Sequence, residues 1–252
     1  MKIIWHGTAS VELRSGDDIL LFDPFVPLNG ADWQIPIEDY DGFHDILVTH
    51  GHFDHIVNLP EIVRRNPLVT VHCTETPYNT LRSKGVPEKN ISPIHYGQHL
   101  QLSAFSVDVY HGRHAVLPKA SVRRVASIIF SKNIRNLPFI ARENKICVEN
   151  DETVLYAVHT EGKTITVCGS LNLREDQEYP TDSDLLVLPY NGWEDNLPPA
   201  VLMIERLKPK KVLLSHWDNT FPPITSYIDR TPIREAFPGL VTELTPGESL
   251  VI

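Results

Sequence analysis

A chain of 252 residues can bury a sizeable core, and one large domain over residues 1–252 is the natural reading. Its 42% hydrophobic and 22% charged residues exclude a disordered chain, and a formal net charge of −9 argues against general affinity for nucleic acid or an anionic membrane. No window approaches a membrane span and no apolar stretch follows Met1, so a cytoplasmic protein is expected.

Short apolar runs at residues 2–5, 10–13 and 19–22, separated by turn residues such as Ser15, Gly16, Asp17 and Asp18, predict three opening strands. Ile46, Leu47 and Val48 predict a buried strand. Residues 59–65 predict a helix with Leu59, Ile62 and Val63 on one face and Pro67 as its stop. A strand at 68–73 follows, then a helix with Thr76 as N-cap and Pro77 in its first turn, ending before Gly85. Strands are expected at 105–110, 154–159 and 164–168, and a β-α-β run over 185–188, 200–207 and 212–214. Two strands at 240–244 and 249–252 close the chain. Cys73 and Cys168 fall in strand-like runs and read as buried structural thiols. With Cys147 they make three cysteines without C-x-x-C spacing, so no disulfide framework is evident and a reducing compartment fits.

Strand-rich halves with interspersed helices predict two mixed sheets packed face to face and covered outside by helices. Residues 118–150 stand apart. They carry Lys119, Arg123, Arg124, Lys132, Arg135, Arg142 and Lys145 against Glu143 and Glu149, with Val122, Val125, Ile128, Ile129 and Phe130 between. This basic insertion reads either as a solvated amphipathic helical hairpin or as a lid. In the second case Arg123 and Arg124 would bind an anionic substrate.

The most informative stretch follows the strand at 46–48. His50, His52, Asp54 and His55 crowd three imidazoles and a carboxylate into six positions, and Gly51 marks the exit into a loop. A strand would turn His55 away from the other three, whereas a loop can aim all four into one cleft. Nitrogen and oxygen donors this close suit a borderline cation, zinc first, with Mn2+, Fe2+ or Ni2+ as alternatives. Four other apolar runs end in a potential ligand or its supporter: Asp23 after Phe22, His111 and His114 after Tyr110, Ser170 after Gly169, and His216 with Asp218 after Ser215. If these strands are parallel neighbours, their ends gather at one rim. His72 and His159 fall in strands and read as satisfied polar groups. His44, His95 and His99 lie in loop-like surroundings, and Trp193 and Trp217 flank the expected cleft.

The His50-x-His52-x-Asp54-His55 pattern, the later His111-Gly112 and the late His216 before Asn219-Thr220-Phe221-Pro222 resemble the metallo-β-lactamase superfamily. Within it, the chain looks most like small bacterial metal-dependent hydrolases, relatives of ascorbate-6-phosphate lactonase and ribonuclease Z. The opening Trp5-His6-Gly7-Thr8-Ala9-Ser10, the Phe22-Asp23-Pro24-Phe25 turn and the stretch from Ser215 to Phe221 fit that subgroup. The likeness covers most of the chain except the basic segment. Its motifs specify the superfamily and not the substrate.

The resemblance implies an αββα sandwich with a two-metal site at its edge. By match, His50, His52 and His111 hold one metal, and Asp54, His55 and His216 the other, with a metal-activated hydroxide as nucleophile. His111 is favoured over His114 because the His-Gly pattern matches the subgroup. Asp54 doubles as the catalytic residue that passes a proton to the leaving group. His6 and Asp23 match positions that orient ligands. The family places a bridging aspartate where this chain has Ser170, so a weaker second metal is expected, with Asp218 as a substitute for the bridge. The expected activity is hydrolysis of a small, anionic ester, lactone or phosphodiester. A ribonuclease Z-like nuclease and a non-catalytic metal- or ligand-binding homologue are the rival readings.

Overall fold

The computed structural model describes residues 1–116, 121–191 and 196–252. Strands β1 (Lys2–Gly7), β2 (Ser10–Ser15), β3 (Asp18–Phe22), β4 (Asp45–Leu47), β5 (Thr70–Cys73) and β6 (Ile91–Pro93) belong to one sheet. The other contains β7 (His99–Leu102), β8 (Phe105–His111), β9 (Val154–Thr160), β10 (Lys163–Cys168), β11 (Leu185–Pro189), β12 (Val212–Ser215) and β13 (Val241–Thr242). The last strand, β14 (Ser249–Val251), returns to pair with β1, so each sheet has seven strands among the described residues. Helices α1 (Phe53–Ile56), α2 (Leu59–Arg65), α3 (Glu75–Ser83), α4 (Val122–Ile129), α5 (Leu137–Ile146), α6 (Leu197–Leu207) and α7 (Thr231–Ala236) complete the order.

Side-chain alternation explains why both sheets need cover on two sides. Leu20 and Phe22 point into the core between the sheets, with Val107, Val158 and Val167 from the opposite sheet. Leu21, between them on the same strand, joins Ile46, Val71 and Cys73 in a second core outside the first sheet. Helices α2, α3 and α5 close that outer core with Ile62, Leu81 and Ile140. Across the other sheet, α6 and α7 contribute Met203, Ile204 and Ile233. The result is an αββα sandwich, as the resemblance implied.

Parallel pairing positions the site. Strands β3, β4 and β5 run parallel in one sheet, and β10, β11 and β12 in the other. Their carboxyl ends therefore meet at one rim of the sandwich, where the segments starting at Asp23, Thr49, Gly169 and His216 all leave the sheets.

Several local expectations shift. The α3 N-cap is Thr74 and not Thr76. Thr76 instead gives its backbone N–H and its hydroxyl to Glu152, at 2.8 and 2.5 Å, an interaction 76 positions away in the chain. Strands β6 and β7 were not foreseen, and His99, expected in a loop, lies in β7 and pairs with Asp108 at 2.7 Å. His159 is satisfied by Asp108 and Thr164, as read from the sequence, whereas His72 bonds Asp45 through Nε2 and leaves its buried Nδ1 without a partner among the described residues. Trp217 is core, 3% exposed, with its ring 4.9 Å from that of Trp5 and the Arg230 guanidinium 3.7 Å from its centre. Trp193, Pro118 and Lys119 lie outside the described residues. All three cysteines are free and buried.

Candidate metal centre

At the rim, β4 runs out into Val48 and Thr49, whose backbone is held by His72 O and by the Asp23 carboxylate. Gly51 gives room where the chain passes Val148, since a Cβ there would meet the Val148 carbonyl oxygen at 2.2 Å. The single turn α1 then swings Asp54 and His55 back toward the cleft. Two groups of donors result. His50, His52 and His114 form one and Asp54, His55 and His216 the other, with ligand atoms inside each group within 4.8 Å of one another. All six line one cavity of about 230 Å³.

Hydrogen bonds fix which ring nitrogen faces the cavity. Thr49 Oγ1 donates to Asp23 Oδ2 at 2.6 Å, so it accepts from His50 Nδ1 at 3.1 Å. His55 Nδ1 donates to Asp23 Oδ2 at 2.9 Å, and His114 Nδ1 donates to the Ala115 carbonyl at 2.8 Å. With Nδ1 carrying the proton in all three rings, each Nε2 keeps its lone pair for the cleft. Asp23 thus bonds both His55 and the Thr49 hydroxyl that His50 leans on.

Electrostatics agrees with this arrangement. Burial, reinforced by the neighbouring imidazoles of His55 and His52, holds His50 well below its ordinary titration range. Burial pushes His52 down to about 4 and lowers His114 as well. Burial opposes ionisation of Asp54, yet His55 and His216 outweigh it and keep that carboxyl well below the usual carboxylate range. His50, His52 and His114 are thus held in the neutral form that binds a cation. At His55 burial opposes protonation, but the carboxylates of Asp23 and Asp54 outweigh it and raise the pKa, so that ring would give up a proton to a metal. The donor set fits a borderline transition metal.

His216 sits in the left-handed region at φ 60, as do Thr8 at φ 50 and Asp23 at φ 43. Such backbone costs about 1–3 kcal/mol per residue and persists only where surroundings enforce it. Here His216 N–H donates to Thr8 O at 2.7 Å, and Thr8 N–H donates to Asp218 Oδ2 at 2.8 Å. The loop thereby aims His216 Nε2 at Asp54 Oδ2, 3.0 Å away.

Four expectations are corrected. His111 is outside both groups. It is still paired in β8, stacks on Tyr96 with ring centroids 3.9 Å apart, and bonds Asp151 O at 2.9 Å. His114, three residues on, takes its place. His6 bonds Glu12 at 2.8 Å and faces the Tyr40 ring, so it supports none of the six donors. Asp218 belongs to neither donor group; its Oδ2 is committed to Thr8. Arg123 and Arg124 do not line the cavity, and Arg124 instead braces its wall through Ser226 Oγ and Ile224 O. Ser170 acquires a definite task. Its buried Oγ accepts Ala115 N–H at 3.0 Å, while Asn172 Nδ2 holds His114 O at 3.2 Å, so both fasten the loop bearing His114.

An αββα sandwich with His- and Asp-rich donor groups at the strand ends defines the metallo-hydrolase class. The family model described as "Beta-lactamase superfamily domain" matches residues 19–217, and the chain belongs to that superfamily, as a metal-dependent hydrolase. A metal-dependent hydrolase of Bacillus licheniformis is 28% identical over 255 residues, covering 99% of each chain. One from Solibacter usitatus is 29% identical over 259 residues, covering 98% of each. Among solved structures, a metallo hydrolase from Ignicoccus hospitalis superposes with a TM-score of 0.68 at 19% identity, covering 99% of this chain and 97% of the other.

Proposed function

We propose that this protein hydrolyses a small ester or lactone in the cavity shared by the two donor groups, with His50, His52 and His114 holding one Zn2+ and Asp54, His55 and His216 a second. One observation carries the reading. Six ligand atoms, five of them imidazole nitrogens, converge in two groups on a single cavity of about 230 Å³. Bound zinc would supply a water of lowered pKa and polarise the attacked carbonyl. The protein's own residues do the rest. Asp23, Thr49 and the Ala115 carbonyl hold the His55, His50 and His114 rings in the ligating tautomer. Asp54, ionised and 3.0 Å from His216 Nε2, is placed to take a proton and return it to the leaving group. Three buried free thiols fit a reducing cytoplasm, which is part of this reading.

A phosphodiester remains the second reading, because paired cations also stabilise a phosphoryl group in displacement. A polymeric RNA substrate is not favoured, since among the described residues no lysine or arginine lines the cavity. The test compares turnover of neutral 4-nitrophenyl esters, γ-lactones and bis(4-nitrophenyl) phosphate by zinc-loaded and chelator-stripped protein. Ester or lactone hydrolysis that disappears on stripping and returns with zinc is expected. Equal rates with and without metal would remove the proposal, and a metal-binding homologue without activity would take its place.

A further inference from the structure

Helix α4 has no buried residue, although its apolar positions keep helical spacing. Val122, Val125 and Ile129 recur along one side, and Phe130, the C-cap, extends the stripe. Val122 and Phe130 are 88% and 87% exposed. On the opposite side Arg124 holds Ser226 Oγ at 3.3 Å and Ile224 O, which pins the helix to the cavity wall with its stripe outward. Thirteen large apolar residues stand exposed among the described residues. Eight of them fall between Val116 and Val148, the stretch in which the cations also concentrate. Arg123, Lys132 and Arg135 are exposed there and form no ion pair among the described residues. No acidic residue occurs between His114 and Glu143. An apolar patch of this kind beside unpaired cations marks an interaction surface and not a solvated face.

We propose that α4 is a docking surface for an anionic lipid bilayer. Val122, Val125, Ile129 and Phe130 enter the boundary between headgroups and acyl chains, while Arg123, Lys132 and Arg135 meet lipid phosphates. The net charge of −9 opposes adsorption of the molecule as a whole, so docking is confined to this segment. Neither rival occupant matches both halves of the pattern. A nucleic acid would satisfy the cations and leave the stripe in water. A second copy laid antiparallel on the same stripe would set Arg123 against Lys132, where like charges repel. Through Arg124 the docked helix holds the cavity wall beside the bilayer. The docking surface does not depend on the hydrolase reading.

Sedimentation of the full chain with sucrose-loaded vesicles tests the proposal. Vesicles of phosphatidylcholine and phosphatidylglycerol in equal parts should carry the protein down, and vesicles of phosphatidylcholine alone should bind it at least about 10-fold more weakly. Val122→Ser combined with Phe130→Ser should weaken partition at least about 10-fold, the scale of withdrawing one apolar side chain from lipid. Arg123→Gln combined with Lys132→Gln should do the same, since each cation at an anionic surface is worth about 5-fold. Phe130→Trp gives a second measurement that needs no loss of function. Brominated phosphatidylcholine in the same anionic vesicles should quench its emission beyond the loss seen in wild type. No binding to the anionic vesicles, binding that the serine pair leaves unchanged, or no added quenching would overturn the proposal. Tighter retention by polyuridylate than by vesicles would make the segment a nucleic-acid arm. A dimer in light scattering that the serine pair dissolves would make it a contact between copies, and either result overturns lipid docking.

Discussion

At the residue scale, the chain states its donors but not their supporters. His50, His52, Asp54 and His55 were legible because few other needs crowd imidazoles and a carboxylate after a buried strand. The choice between His111 and His114 was not, because it depends on Tyr96, whose ring captures His111 from a separate turn of chain. Replacing His114 with Ala should empty the first group and cut bound zinc by about half, whereas His111→Ala should leave metal content near wild type, as measured by elemental analysis. The opposite pattern would restore His111 as the ligand. Ser170→Ala removes the acceptor for Ala115 N–H beside the His114 ring, so zinc affinity should fall by about 10-fold, the lower end for residues that orient ligands. An unchanged dissociation constant in a competition titration would show that Asn172 fixes the loop unaided.

At the element scale, strands with strong apolar runs were readable, and so was the helix with Leu59, Ile62 and Val63 on one face. Edge strands β6 and β7 were not. Ile91-Ser92-Pro93 and the stretch His99–Leu102 are short and mixed in character, and they pair because neighbouring strands offer open edges. The basic segment illustrates the same limit. Part of its charge goes into clamping helices together: Glu143 on α5 receives Lys84, the C-cap of α3, at 2.5 Å, and Arg142 at 2.8 Å. Ile140 anchors α5 in the outer core. Burial alone would raise the Glu143 pKa, but Lys84 and Arg142 outweigh it and lower it below the ordinary 4.5. A lowered carboxylate contributes stability that is fully present above its unfolded value and is lost as pH falls through the folded one. Glu143→Gln should therefore destabilise the protein by about 1–3 kcal/mol at neutral pH, the range for charged hydrogen bonds, with the difference shrinking below pH 4.5. Denaturation midpoints at neutral and acid pH measure it. A pH-independent difference would mean that packing and not charge couples α3 to α5.

At the scale of the whole molecule, the sandwich joins two halves whose rim crowds ring nitrogens and a carboxylate within hydrogen-bonding distance of one another. Burial holds His50 and His52 neutral, His50 Nε2 stands 3.1 Å from His52 Nδ1, and the His50 and His55 ring centroids are 3.9 Å apart. The first group has donors from both halves: His50 and His52 follow β4, and His114 follows β8. The second joins the α1 turn to the loop after β12. A metal bound there ties the two sheets together and exists only in the folded state, so its binding free energy adds to stability. With free zinc at about 1,000 times the dissociation constant, the gain is about 4 kcal/mol. For a chain of this size each kcal/mol moves Tm by about 2–4 °C, so chelation should lower Tm by roughly 8–16 °C. Re-addition of zinc should restore it, and His114→Ala should show a smaller response. A Tm indifferent to chelator in the wild type would mean that the rim is stable with its donors empty, and the two-group metal centre would have to be abandoned.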